Sequence, residues 1–247
     1  MGVSPAMLRR LWFAGICAAV ALAANAPWDK PPDQWTPSDV FRILRDSPWS
    51  PAKFAIESDY TQGRTDPQTG VATDSPSHVQ GAVVRGIVVS RGHPLPAVTV
   101  LWWSSRTVRL AEERRLESRI GAAAKGKIGT AALPDYVLAV AGDEPLRILR
   151  DAREDLRDTA FLELENGGTL DFTTVEFVDD TDAETLRTEF HFPRSLDEHP
   201  AIDPESRRVV FHCRAIAKKE VPGRNNSLSF RVEFSPRTMK ARGQPDF

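Results

Sequence analysis

The sequence predicts an α+β fold: a mainly antiparallel sheet of about seven or eight strands with two helices, plus a short N-terminal helix. Three patterns point there. From Thr159 on, apolar and polar residues alternate over five segments, the period of half-buried strands. Upstream, "SSRTVRLAEERRLESRIGA" and "DEPLRILRDAREDL" repeat apolar residues at helical spacing. Finally, "TPSDVFRILRDSPWS", Thr36 to Ser50, carries both a helix start and a helix stop.

The chain has 247 residues, and its opening differs from its body. Arg9 and Arg10 precede an unbroken apolar run from Leu11 to Ala24. The run contains Ala21-Leu22-Ala23, a small-x-small pattern that fits the narrow pocket of signal peptidase. Residues 1–23 therefore read as a secretory signal peptide, too short for the about 20 apolar residues of a membrane span. An uncleaved anchor is the alternative, and through it alone would the protein touch a membrane. Cys17 does not fit lipidation, because Ile16 precedes it and the apolar run continues. Leu8, Trp12 and Phe13 do not fit the surroundings of a twin-arginine signal. The expected location is extracytoplasmic, periplasmic or secreted, after cleavage near Ala23.

Cleavage there removes two arginines and no acids, so the remainder is more negative than the −2 of the whole chain. That balance favours solubility and argues against a nucleic-acid partner, whose binding footprint is basic. Beyond the signal only Cys213 remains, so no intramolecular disulfide is possible and the fold must rest on its core.

Residues 24–56 form an N-terminal segment. "ANAPWDKPPDQW" reads as an extended linker. Thr36 then serves as N-cap, Pro37 suits the first helical position, and Asp39 completes a near-capping box. Val40, Ile43 and Leu44 recur at helical spacing, and Pro48 ends the helix. So short a helix is marginal alone. It is expected to dock on the protein's own body through Val40, Phe41, Leu44 and Trp49. Trp28, Trp35 and Trp49 are the candidate binding side chains of this segment.

Residues 57–80 show no period and read as a flexible loop. The α+β domain spans 81–240, with a tail at 241–247. "AVVRGIVVS" and "AVTVLWW" are strands. In the next helix Val108, Ala111, Leu116 and Ile120 share a face, and Arg109–Glu113 is an exposed pair. "YVLAVAG" is a buried-type strand, and the helix after it carries Arg150–Glu154 as an exposed pair. Five alternating strands follow: "TAFLELEN", "LDFTTVEFVD", "TLRTEFHFP", "RRVVFHCRAIA" and "SLSFRVEFS". In the last, Leu228, Phe230, Val232 and Phe234 face one way, and Ser229, Arg231 and Glu233 the other.

Specific chemical motifs fail one by one. "GAAAKGKI" has P-loop spacing, but Ile128 stands where a magnesium-binding hydroxyl is needed, and it follows a helix rather than a strand. "DDTDAE" resembles the start of a calcium loop, but Thr185 and His191 occupy the positions needing Gly and Glu. "NNS" at Asn225 is a formal glycosylation acceptor, though Asn225-Asn226 also suits a hairpin turn. Cys213 shares the apolar parity of Val209 and Phe211 and reads as a buried thiol. His191 and His212 lie on polar faces of their strands as possible neighbours; with Glu189 they are the catalytic candidates. A cross-strand polar pair is preferred to metal ligation for them, so no metal site and no cofactor is expected.

Taken together, "SDVFRILRDSPWS", "LWWSSRTVRLAEER", "YVLAVAG", "FHFPR" and "FSPRTMKARGQPDF" resemble a group of uncharacterised exported bacterial proteins. These have a signal peptide, a short helix ending in Ser-Pro-Trp and a mixed α/β body. The resemblance implies export and architecture, and no activity. The expected function is a non-enzymatic binding or envelope scaffold protein, its partner an envelope protein or a small ligand. The alternative is an exported hydrolase.

Overall fold

The computed structural model describes residues 26–65, 72–84, 87–89, 95–180 and 185–247. The signal peptide and residues 181–184 of the acidic turn lie outside them. Thr36 caps α1 (Pro37–Arg45) with a complete capping box: its hydroxyl accepts from Asp39 N at 3.1 Å, and its own N–H donates to Asp39 at 3.0 Å. Val40, Ile43, Leu44 and Trp49 are buried. Phe41 is not: it is 67% exposed, and Ile43 takes its place in the contact. Nine residues give α1 one apolar stripe, and Phe41 falls off it.

The next segment departs from expectation. Within the expected loop 57–80, the described residues are strands: β1 (Phe54–Thr65) pairs antiparallel with β2 (Ala72–Val84), which pairs in turn with β3 (Ile87–Val89); residues 66–71 lie outside the described residues. Backbone hydrogen bonds hold this ladder without needing an apolar face, and the stretch has few apolar residues to mark a period. Pro76 is tolerated because, among the described residues, β2 pairs at that point with β1 alone.

The rest runs β4 (Thr99–Trp102), α2 (Arg106–Ile120), β5 (Tyr136–Ala141), α3 (Asp143–Asp151) and α4 (Leu156–Thr159). Then come β6 (Ala160–Leu164), β7 (Thr169–Asp171), β8 (Thr174–Asp180), β9 (Thr185–Phe192), β10 (Ser195–Leu196) and β11 (His199–Pro200). The chain ends with β12 (Val209–Ile216), β13 (Ser227–Phe234), β14 (Lys240–Ala241) and β15 (Gln244–Pro245). The class is α+β with antiparallel pairing, but the strands divide between sheets. A seven-stranded sheet has the order β3-β2-β1-β13-β12-β6-β7, and a four-stranded sheet the order β4-β5-β9-β8. β10-β11 and β14-β15 are small ladders. The chain crosses from one large sheet to the other between β7 and β8, where Phe172 is buried.

The core lies between the two large sheets. Phe190 and Phe192 of β9 meet Phe211 of β12 at 5.2 and 6.2 Å, and Phe211 meets Phe230 at 5.8 Å. Trp102 of β4 packs edge-on against Phe234 at 5.1 Å. Such aromatic pairs are worth about 0.5–1.5 kcal/mol each beyond area burial. Because side chains alternate, the residues next to these aromatics face outward: Arg187, Glu189 and His191 on β9, His212 on β12.

Two exposed pairs read from helical spacing do not form. Arg109 is buried; its guanidinium donates to the carbonyls of Gly129, Ala131 (2.7 Å) and Ser104 (3.3 Å). Glu113 instead accepts from the Gly126 N–H at 2.7 Å. Arg150 pairs with Asp179 at 3.2 Å, and Glu154 with Lys218. Tertiary partners outcompete the about 0.2–0.5 kcal/mol of an i,i+4 pair. The second expected helix breaks at Ala152, whose burial together with Leu156 turns the chain. Residues 241–247 are built into the body: Phe247 stacks on Tyr136 at 5.8 Å, and Arg194 donates to its carbonyl at 2.9 Å.

Candidate functional site

The outer face of the four-stranded sheet carries a row of ionisable side chains. On β9, Arg187, Glu189 and His191 recur at alternate positions and point to this face. Arg187 lies over the Trp103 ring, 4.2 Å from its centre, and donates to Glu189 Oε1 at 2.6 Å. Glu189 Oε2 stands 3.7 Å from His191 Nε2, and Glu176 Oε1 of β8 stands 4.0 Å from the same nitrogen. On the other side of the ring, Nδ1 is 3.7 Å from Asp135 Oδ2.

A cleft of about 300 Å³ opens beside this row, between α1, α2 and the sheet. Arg45 of α1, Arg115 of α2 and Arg187 of β9 converge on it, with Trp103 and Leu101 as its apolar wall. Arg115 is held by Glu112 through two bonds, 2.8 and 2.7 Å. These bonds raise its pKa above the usual arginine value. Arg45 differs. It donates to the Thr99 hydroxyl and has no ion-pair partner among the described residues. Desolvation, then the charge of Arg115, lower its pKa; Glu112 offsets this in part. At the far end Gly142, φ +139°, lets the chain turn into α3: a Cβ there would sit 2.4 Å from the Ala97 carbonyl oxygen.

The expected meeting of His191 and His212 does not occur. His212 lies on the outer face of the seven-stranded sheet, on the opposite side of the molecule's core from His191. There it stacks on Phe161 at 4.8 Å and bonds Glu163 at 2.8 Å. Arg208 also holds Glu163, and its hydrogen bond, followed by that of His212, lowers the carboxyl pKa. Cys213, next in the chain, faces the core, and burial pushes its thiol pKa far up.

The tryptophans are turned to structural ends. Trp49 is fully buried and donates to the Asp246 carbonyl. Trp28 packs edge-on against Trp49 at 5.5 Å, and Trp35 donates to the Pro27 carbonyl at 2.8 Å. Trp28 and Trp35, both half-buried, line a smaller cavity of about 150 Å³ with Arg106 and Gln244. Asn225 is buried and its side-chain oxygen accepts from Ser58 at 3.1 Å, a poor position for a glycan. The hairpin turn expected at Asn225-Asn226 lies earlier, at Val221–Arg224, with Gly223 at φ +76°. Lys125 and Lys127 of the P-loop-like stretch are exposed, while Ala124 and Ile128 are buried, as in an ordinary connection.

Sequence reasoning found Glu189 and His191 but missed Glu176, Asp135 and all three cleft arginines. One signal was available. The ladder pairs Asp180 with Thr185, and counting back from that turn sets Glu176 directly opposite Glu189. The arginines come from three elements far apart in the chain and had no local signature. The sequence matches no protein-family model and no curated protein, and no solved structure matches the chain.

Proposed function

We propose that the protein is an exported, non-enzymatic binding protein whose ligand is a small anion, carboxylate- or phosphate-bearing, seated in the cleft of Arg45, Arg115 and Arg187. The observation carrying this reading is Arg45: a guanidinium at a cleft wall that it shares with Arg115, Glu112 and Asp143, and with no ion-pair partner among the described residues. An anion bridging Arg45 and Arg115 would relieve the repulsion between the two through charge-assisted hydrogen bonds. Trp103 and Leu101 supply the apolar wall that small-molecule sites share. Export is supported by the signal-like residues 1–23 and by the resemblance to exported proteins. Among the described residues no helix is long and apolar enough to cross a membrane.

The hydrolase alternative has the His212–Glu163 pair in its favour, but the adjacent Cys213 faces away from it. Calorimetric titration with inorganic phosphate and a panel of small mono- and dicarboxylates tests the binding reading. Saturable binding by wild type, weakened about tenfold or more in Arg45→Ala, is the expected result. Arg45 lies at the surface, so the variant folds. Failure of every anion to bind, or equal binding by the variant, overturns the reading.

A further inference from the structure

We propose that Glu176, Glu189 and His191 form a binding site for a divalent transition-metal ion of the zinc type. The ligands are distinct from the lining of the anion cleft, although Arg187, which holds Glu189, also borders that cleft. His191 Nε2, Glu189 Oε2 and Glu176 Oε1 all lie within 4.8 Å of one another. They stand at 3.7 and 4.0 Å from the nitrogen, too far for hydrogen bonds between them. A tetrahedral zinc with ligands at about 2.0–2.1 Å spaces its donors about 3.3 Å apart. Glu176, with its side chain 58% exposed, is free to move inward by the small difference.

Three further features point to a cation. First, His191 Nε2 is shut off from solvent and makes no hydrogen bond, although it is aimed between two carboxylate oxygens. A buried ring nitrogen without a partner is costly unless something fills the gap. Second, Glu176 and Glu189 are direct cross-strand partners, an arrangement that destabilises a sheet when both carry charge. Arg187 is bonded to the other oxygen of Glu189 and so leaves Oε2 free to ligate. Third, the surroundings orient the ligands as metal sites do. Asp135 stands on the Nδ1 side of His191 and Arg187 holds Glu189, so that Nε2 and Oε2 are turned toward the centre. One imidazole and two carboxylates suit zinc and its neighbours in the first transition row.

The test titrates chelator-stripped protein with zinc chloride, read by calorimetry and by competition with a chromophoric chelator. Wild type is expected to take up one equivalent and to melt at a higher temperature with zinc than without. Glu176→Gln and His191→Ala should each weaken zinc binding by about tenfold or more. Should His191→Ala fail to fold, Glu176→Gln at the exposed position still decides. Absence of saturable zinc binding by wild type, or wild-type affinity in Glu176→Gln, overturns the proposal.

Discussion

The hydroxyl of Ser105 donates to the carboxylate of Asp246 at 2.8 Å, joining residues 141 positions apart. The same carboxylate accepts from the backbone N–H of Arg106 at 2.8 Å and of Thr107 at 2.9 Å. α2 is thus capped twice: locally by the Ser105 oxygen, which accepts from Val108 N at 3.2 Å, and from a distance by Asp246. Asp246→Ala should lower stability by about 1–2 kcal/mol in urea denaturation. Deleting Asp246 and Phe247 together should cost more, because the stack on Tyr136 goes too. A wild-type midpoint for the deletion would mean that this segment does not hold α2.

Two aromatic residues of the N-terminal segment, Phe41 within α1 and Trp49 just beyond it, should behave in opposite ways. Trp49→Ala removes a fully buried side chain and is expected to cost about 3–5 kcal/mol. Phe41→Ser, at an exposed position, should stay within about 0.5 kcal/mol of wild type. Equal losses for both would show that α1 packs by a different face.

Arg109→Met should release the connection after α2. Three carbonyls lose their donor at once, which should cost about 3 kcal/mol. Limited trypsin digestion reads the local effect. Cleavage at exposed Lys125 and Lys127 should speed up more than cleavage elsewhere. Unchanged rates at those lysines would count against Arg109 as their anchor.

Asp39 gives α1 a dependence on pH. Its carboxyl pKa lies below the ordinary value, chiefly because the Thr36 backbone donates to it; the Thr36 hydroxyl and Lys30 add to this, and partial burial opposes. A pKa depressed in the folded state adds stability above the unfolded value and loses it as pH falls through the folded one. The urea midpoints of wild type and Asp39→Asn should therefore differ at neutral pH and converge in acid. A gap that persists at the lowest pH would assign the effect to something other than the carboxylate charge.

Local signals were legible wherever short-range chemistry decides. The Thr36–Asp39 box, the alternation of Leu228 to Phe234 and the burial of Cys213 all follow from neighbours in the chain. Illegible were the features set by distant partners. Arg109 has the spacing of a surface pair with Glu113, and only the carbonyls of Gly129 and Ala131 draw it inward. The β1–β2 pairing was hidden because its stretch has few apolar residues to alternate, while the backbone atoms that make the ladder belong to every residue. His191 and His212 sit on strands of like pattern, and nothing local shows that the strands belong to different sheets.

The bond from Trp49 to Asp246 spans 197 positions, and Trp28 shares a cavity with Gln244 and Pro245. The first and last described segments are therefore neighbours in space, and the chain forms a nearly closed ring. Such a ring tolerates reconnection. A short linker joining position 247 to position 26, with the chain opened between β1 and β2, would give a circular permutant. Loop-closure entropy would shift from the clasp at Trp49 and Asp246 to the opened hairpin.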